Sequence, residues 1–87
     1  MSTPMNAASI SRVIESKNYY YAQGLGGHGI GASFKTVILA ANKREAETLG
    51  KQWQEAKGFR DLHLYRNNYK PECRAMLAAG NYYGELK

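Results

Sequence analysis

The chain has 87 residues, with 12 lysines and arginines against 7 acidic residues and a net charge of +5 at pH 7. This length predicts one domain, 1–87, with a thin core and little room for an enclosed active site. A hydrophobic fraction of 44% argues against wholesale disorder, and the single cysteine, Cys73, excludes an internal disulfide. The positive charge favours partners that carry negative charge without identifying them.

The first half of the chain predicts a helix and two strands. Ile10, Val13 and Ile14 share one helical face, which predicts a helix over 4–16, although nearby serines leave an extended conformation open. Three tyrosines favour a strand over 19–23, and a second strand follows a glycine-rich connection. This second strand, 33–41, carries apolar side chains on both faces, so we place it centrally in the sheet.

The clearest helix signal lies between Asn42 and Gly58. Asn42 is a good N-cap with Glu45 three residues on, and Gly58 is a good C-cap. Gly50 on the apolar stripe costs about 1 kcal/mol relative to alanine, which indicates that the helix backbone approaches the sheet closely. Trp53 on the same stripe is predicted to lie in the core.

The last third of the chain completes the predicted fold. Residues 59–65 alternate between apolar and polar side chains, which predicts a half-buried strand with an open polar face. A helix is predicted over 71–79 and ends at Gly80. Tyr82 and Tyr83 then either fold back on the fold or fray with the rest of 81–87. Residues 1–8 can also fray. The fold class is therefore α+β, with a small, mainly antiparallel sheet and helices on one face, in the order (α)ββαβα.

The sequence holds no constellation that favours catalysis or metal binding. The segment 24–31 contains a G-x-G-x-x-G match, but a strand follows it, so we expect a hairpin tip rather than a phosphate site. His28, His63 and Cys73 lack the paired spacing of a zinc site. Cys73 is predicted to be a half-buried small residue in the first turn of a helix. We therefore expect no enzyme, no metal and no cofactor.

Cationic and aromatic side chains are interleaved over 60–74. This mixture suits single-stranded nucleic acid, because cations neutralise phosphates and rings stack on bases, and it equally suits protein interfaces. Strand alternation predicts an open sheet face bearing a tyrosine of the first strand together with His63 and Tyr65. The candidate binding residues are Arg60, His63, Tyr65, Arg66, Tyr69, Lys70 and, at the hairpin tip, His28.

The succession of strand, capped helix and returning strand resembles the cores of several small phage-encoded anti-CRISPR proteins. The residues that carry it are Phe34-Lys-Thr-Val-Ile-Leu-Ala-Ala-Asn42, Glu45-Ala46 and Leu62-His-Leu-Tyr65. The resemblance implies a non-enzymatic inhibitor. The longest aliphatic run, 37–41, is far shorter than the ~20 residues of a membrane helix, and the N-terminus lacks a basic segment followed by an apolar one, so we expect a cytoplasmic protein without a membrane partner, in the host cell if it is phage-encoded. Such an inhibitor docks on a host protein or ribonucleoprotein complex of nucleic-acid defence and blocks target DNA or a conformational step. Because this chain is positively charged, DNA mimicry is not the expected mechanism.

Residues 34–46 are also similar to the strand-to-helix junction of phage integrase arm-binding domains, which lay a sheet in a DNA groove. The chain departs from that family, since it lacks a third strand before the helix and adds a strand and a helix afterwards. The alternative function is a direct DNA- or RNA-binding module that uses the same basic and aromatic surface. A monomer and a homodimer are both open, because exposed sheet edges can pair.

Overall fold

The computed structural model describes residues 3–27 and 33–86. The elements in chain order are α1 (Ala7–Ser16), β1 (Tyr19–Leu25), β2 (Ser33–Leu39), α2 (Lys43–Lys57), β3 (Asp61–Arg66), α3 (Lys70–Ala78) and β4 (Tyr82–Gly84). The α+β class is confirmed, and the order is that predicted with one further strand at its end. Within the described residues, no helix has the length and apolar character to cross a membrane.

The four strands form one sheet in the order β3-β1-β2-β4. β1 is antiparallel to both β2 and β3, whereas β2 and β4 are parallel. The sheet is therefore mixed, and the antiparallel prediction holds only for the pairings made by β1. The central position of β2 is confirmed, and Tyr82 and Tyr83 fold back onto its outer edge.

Helices cover both faces of the sheet, which corrects the prediction that they lie on one face. α1 and α3 pack around Val37 and Leu77 on one face, and α2 packs around Ile38 and Trp53 on the other. The reason is that β1 and β2 carry apolar side chains on both faces, and one helical layer would leave one set in water. Two thin cores therefore share the central strands.

The details of α2 follow the sequence prediction. The Asn42 side chain accepts a hydrogen bond of 3.0 Å from the Glu45 backbone N–H and so caps the helix. A Cβ at Gly50 would lie 2.8 Å from Cδ2 of Leu62, so the glycine allows the helix backbone to approach β3. Trp53 is 2% exposed and lies in the core, as predicted.

Several element boundaries differ from the predicted ones, and two of the differences have a clear local cause. α1 begins after Asn6, whose side chain caps it by accepting a backbone N–H bond of 2.8 Å. β1 continues through Gly24 to Leu25 instead of ending at 23. The ring of Phe59 lies over Gly24, with three ring atoms 2.6–2.7 Å from the place of a Cβ, so this glycine belongs to the packed strand.

Cys73 is fully buried, which corrects the prediction of a half-buried residue. α3 packs against both α1 and the sheet, and Cys73 lies in the core that these three elements form. Burial, followed by the neighbouring Glu72 charge, raises the pKa of the Cys73 thiol to about 12. The thiol is therefore protonated near neutral pH and is a poor nucleophile.

Candidate binding surface

α1 and α3 cover only one end of the sheet face on which they lie. Their cluster with the sheet reaches Tyr21 on β1, Val37 on β2 and Tyr65 on β3. Beyond these positions the side chains on the same face are exposed or partly exposed. We call this region the open sheet face, and its residues are Gln23, Leu25, Ser33, Lys35, Asp61 and His63.

The strand register brings these side chains into rows. Gln23 on β1 lies opposite Lys35 on β2 and His63 on β3. Directly opposed residues of antiparallel strands share a face, with their Cβ atoms about 4.5–5.5 Å apart. The next row has the partly buried Leu25 at its centre. The open sheet face is thus mostly polar, with one apolar side chain, Leu25, near the hairpin.

Three tyrosine rings stand where the open sheet face meets α3, and we call them the tyrosine cluster. The ring centroids of Tyr21 and Tyr69 are 4.5 Å apart, those of Tyr65 and Tyr69 5.6 Å, and those of Tyr21 and Tyr65 6.1 Å. These separations are typical of tilted and edge-on ring pairs. Burial is the largest cause of a raised pKa at Tyr21, and the nearby Tyr69 and Glu72 side chains raise this pKa further. The Tyr21 hydroxyl is therefore neutral.

Tyr69 is the most accessible member of the tyrosine cluster. Its side chain is 45% exposed. Among the described residues, no other large hydrophobic side chain is as exposed as this one. Its backbone is left-handed, with φ 54°, a conformation that costs a non-glycine residue about 1 kcal/mol or more. Two bonds of 2.9 Å hold it there: its N–H donates to Oδ1 of Asn68, and its carbonyl accepts the N–H of Cys73. The ring is therefore presented by a fixed loop.

Arg66 lies on the opposite face of the sheet from Tyr65. Its guanidinium carbon is 5.5 Å from the centroid of the Tyr20 ring, and its Nη2 donates 3.3 Å to the carbonyl oxygen of Ala41. This cation is held against the α2 side of the sheet. It does not belong to the open sheet face.

The other cationic candidates border the open sheet face. Arg60 lies at its hairpin end, where the guanidinium Nε is 2.8 Å from the place of a Cβ on Gly26. Lys70 is exposed at the start of α3 and directly follows Tyr69. His28 lies outside the described residues. The structure thus brings together His63, Tyr65 and Tyr69, with Arg60 and Lys70 at opposite ends.

Sequence reasoning missed Gln23 and Lys35, which complete the central row of the open sheet face. The signal was present, because strand alternation places Gln23 on the face of Tyr21 and Lys35 on the face of Val37. What the sequence lacked was the register between the strands. A long glycine-rich connection does not fix a hairpin register as a two-residue turn does.

The open sheet face and its surroundings carry both signs of charge. Lys35 lies on the same surface as Asp61, and Lys70 is followed two positions later by Glu72. Within the described residues, no group of three or more His, Cys, Asp or Glu side chains could hold a metal ion. The surface offers ring packing, hydrogen bonds and charge pairs, which are the means of binding.

The chain matches no protein-family model, no curated protein sequence and no solved structure at a level that indicates a relationship.

Proposed function

We propose that this chain is a non-enzymatic binding protein that docks on a protein surface through the open sheet face and the tyrosine cluster. The observation that supports it most is the exposed Tyr69 ring, fixed by its loop beside a half of the sheet that no described helix covers. Rigid aromatic side chains contribute large contact area at low entropic cost and are enriched in interface hot spots.

The mixed charge of the surface favours a protein over a phosphate backbone. Nucleic-acid sites concentrate cations, because each neutralised phosphate releases counterions and adds affinity. Here Asp61 lies on the same sheet face as Lys35, and Glu72 lies two positions after Lys70. Carboxylates at these places would repel phosphates, whereas a protein partner can pair with both signs.

The resemblance to small phage-encoded anti-CRISPR proteins supplies the partner class. We propose that the chain docks on a host nucleic-acid-handling defence complex and blocks target DNA or a conformational step. The sheet-plus-helix core over 33–66 supports this proposal, and so does the position of His63 on the open sheet face beside Tyr65 of the tyrosine cluster. The net charge of +5 disfavours mimicry of DNA as the mechanism.

An interference assay tests this function. Bacterial strains, each with a characterised CRISPR system, are transformed with a targeted plasmid while they express the chain. Restored transformation in at least one strain supports the proposal, and full interference in every strain contradicts it. His63→Glu on the open sheet face should abolish the restoration. Gln52→Glu introduces the same carboxylate at an exposed position of α2 and should leave the restoration intact.

Direct binding of single-stranded nucleic acid is the second candidate. It is favoured by two exposed lysines, of which Lys35 lies on the open sheet face and Lys70 directly follows Tyr69 of the tyrosine cluster. Fluorescence anisotropy with a labelled 20-nucleotide strand at low salt decides, because phosphate contacts are strongest there. Binding that His63→Glu weakens and added salt abolishes would favour this candidate, and no binding at low salt would exclude it.

A further inference from the structure

A groove of about 320 Å³ lies at the β4 edge of the sheet, between the end of α2 and the turn from α3 into β4. Its walls include Phe34, Trp53 and Tyr83. The Phe34 and Trp53 rings are braced from behind by Phe59, at centroid distances of 5.7 and 4.7 Å. The groove is therefore a rigid aromatic slot, and its volume is at the lower end of the range for small-molecule sites.

The charged side chains at this groove are cationic. Lys35 reaches it from β2 and Lys57 from the last turn of α2, and no carboxylate of the described residues lines it. Neither lysine makes a side-chain hydrogen bond or ion pair within the described part of the chain. Two unneutralised cations beside aromatic walls are complementary to a ligand that is flat and negatively charged.

The edge of β2 excludes an added peptide strand at this place. The Asn81 side chain donates 3.0 Å to the carbonyl of Lys35 and accepts 2.7 Å from Oγ1 of Thr36. The N–H of Val37 is taken by the Asn81 carbonyl at 3.4 Å. Because these groups of the strand edge are already paired, the groove suits a compact ligand rather than β-strand addition.

We infer that this groove binds a small aromatic carboxylate, whose ring packs against Phe34 and Tyr83 and whose carboxylate pairs with Lys35 and Lys57. The groove and the open sheet face share Lys35, whereas Phe34, Lys57 and Tyr83 belong to the groove alone. Lys57 is the position that separates the two.

Titration of the ¹⁵N-labelled chain by NMR tests the inference, with indole-3-acetate as the probe. We expect saturable shifts of the Trp53 indole N–H and of the Gly80 and Tyr83 amides. Tryptamine, which has the same ring and the opposite charge, should leave these signals unmoved. Lys57→Ala should weaken indole-3-acetate binding about two- to fivefold, the range for an exposed charge pair, and Lys51→Ala, on the same helix outside the groove, should not.

Three outcomes of this titration would overturn the inference. No saturable shift at the groove overturns the inference, and so does equal binding of tryptamine and indole-3-acetate. Equal weakening by Lys51→Ala and Lys57→Ala would show a general charge effect and would overturn it as well. The interference assay does not use this ligand, so the two proposals fail separately.

Discussion

The ring of Phe59 lies across the backbone of Gly24, and this contact shows how single residues join α2 to the sheet. The same ring meets Trp53 edge-on and stacks near Phe34, so it is the centre of the core on the α2 face. The close approach of Gly50 was predictable, because a glycine on a helical apolar stripe is unusual. That of Gly24 was not, because the residue stands in a run of glycines that reads as a loop.

Gly24→Ala should destabilise the protein by about 1–3 kcal/mol, the usual cost of overpacking a core. The added Cβ would lie 2.6 Å from the Phe59 ring, which Trp53 holds in place. Urea unfolding measures the change. Phe59→Leu makes room, so Gly24→Ala should cost less in that background than in the wild type. An unchanged unfolding midpoint for Gly24→Ala alone would contradict this packing.

Cys73 makes stability depend on alkaline pH. In the unfolded chain the thiol has its ordinary pKa of 9.0, whereas burial raises the folded pKa to about 12. The unfolded state therefore loses a proton first, so stability is complete below pH 9 and falls between pH 9 and 12. Cys73→Ala should show a shallower loss in urea unfolding over this range. An identical pH dependence in the variant would contradict the assigned burial effect.

Asn81 joins the start of β4 to β2 through hydrogen bonds of its side chain. Its amide is bonded to both Lys35 and Thr36, just before β4 starts at Tyr82. β4 has three residues, too few to show a period in the sequence. Its parallel partner β2 lies more than 40 residues earlier. A local pattern therefore predicts α2, with its cap and stripe, but not β4.

Asn81→Ala should destabilise the protein by about 1–3 kcal/mol, since it leaves the buried Thr36 hydroxyl without its acceptor. Asn81→Asp keeps that acceptor and is the matched control, with a smaller expected loss. In the Asn81→Ala background, Thr36→Val should recover part of the stability, because it removes the unsatisfied group. Strictly additive losses in the double-mutant cycle would show that the two side chains are not coupled.

The whole molecule is a sheet shared by two cores, and this arrangement joins their stabilities. Tyr19 and Tyr21 point into the α1 and α3 core, whereas Tyr20 and Ala22 of the same strand point into the α2 core. The sequence predicted apolar side chains on both faces of β2. A one-sided helical layer was nevertheless the wrong conclusion, because the length of the connections did not reveal on which face each helix packs.

Unfolding should therefore be one cooperative transition for both cores. Trp53 reports on the α2 core by fluorescence, and the reactivity of the Cys73 thiol with a chromogenic disulfide reports on the other core. The two probes should give the same urea midpoint. Exposure of Cys73 at a clearly lower urea concentration than the change in Trp53 fluorescence would show that α1 and α3 detach separately.

Co-migration with purified CRISPR effector complexes in size-exclusion chromatography tests whether the chain binds them through the open sheet face. The chain should co-elute with an effector complex whose interference it relieves. Lys57→Ala should retain that binding, while His63→Glu and Tyr69→Asn should weaken it about 30-fold or more, as expected at hot spots. Asparagine is the substitute at 69 because it tolerates the left-handed backbone. No co-migration with any effector, or binding that neither His63→Glu nor Tyr69→Asn weakens, would contradict docking through this surface.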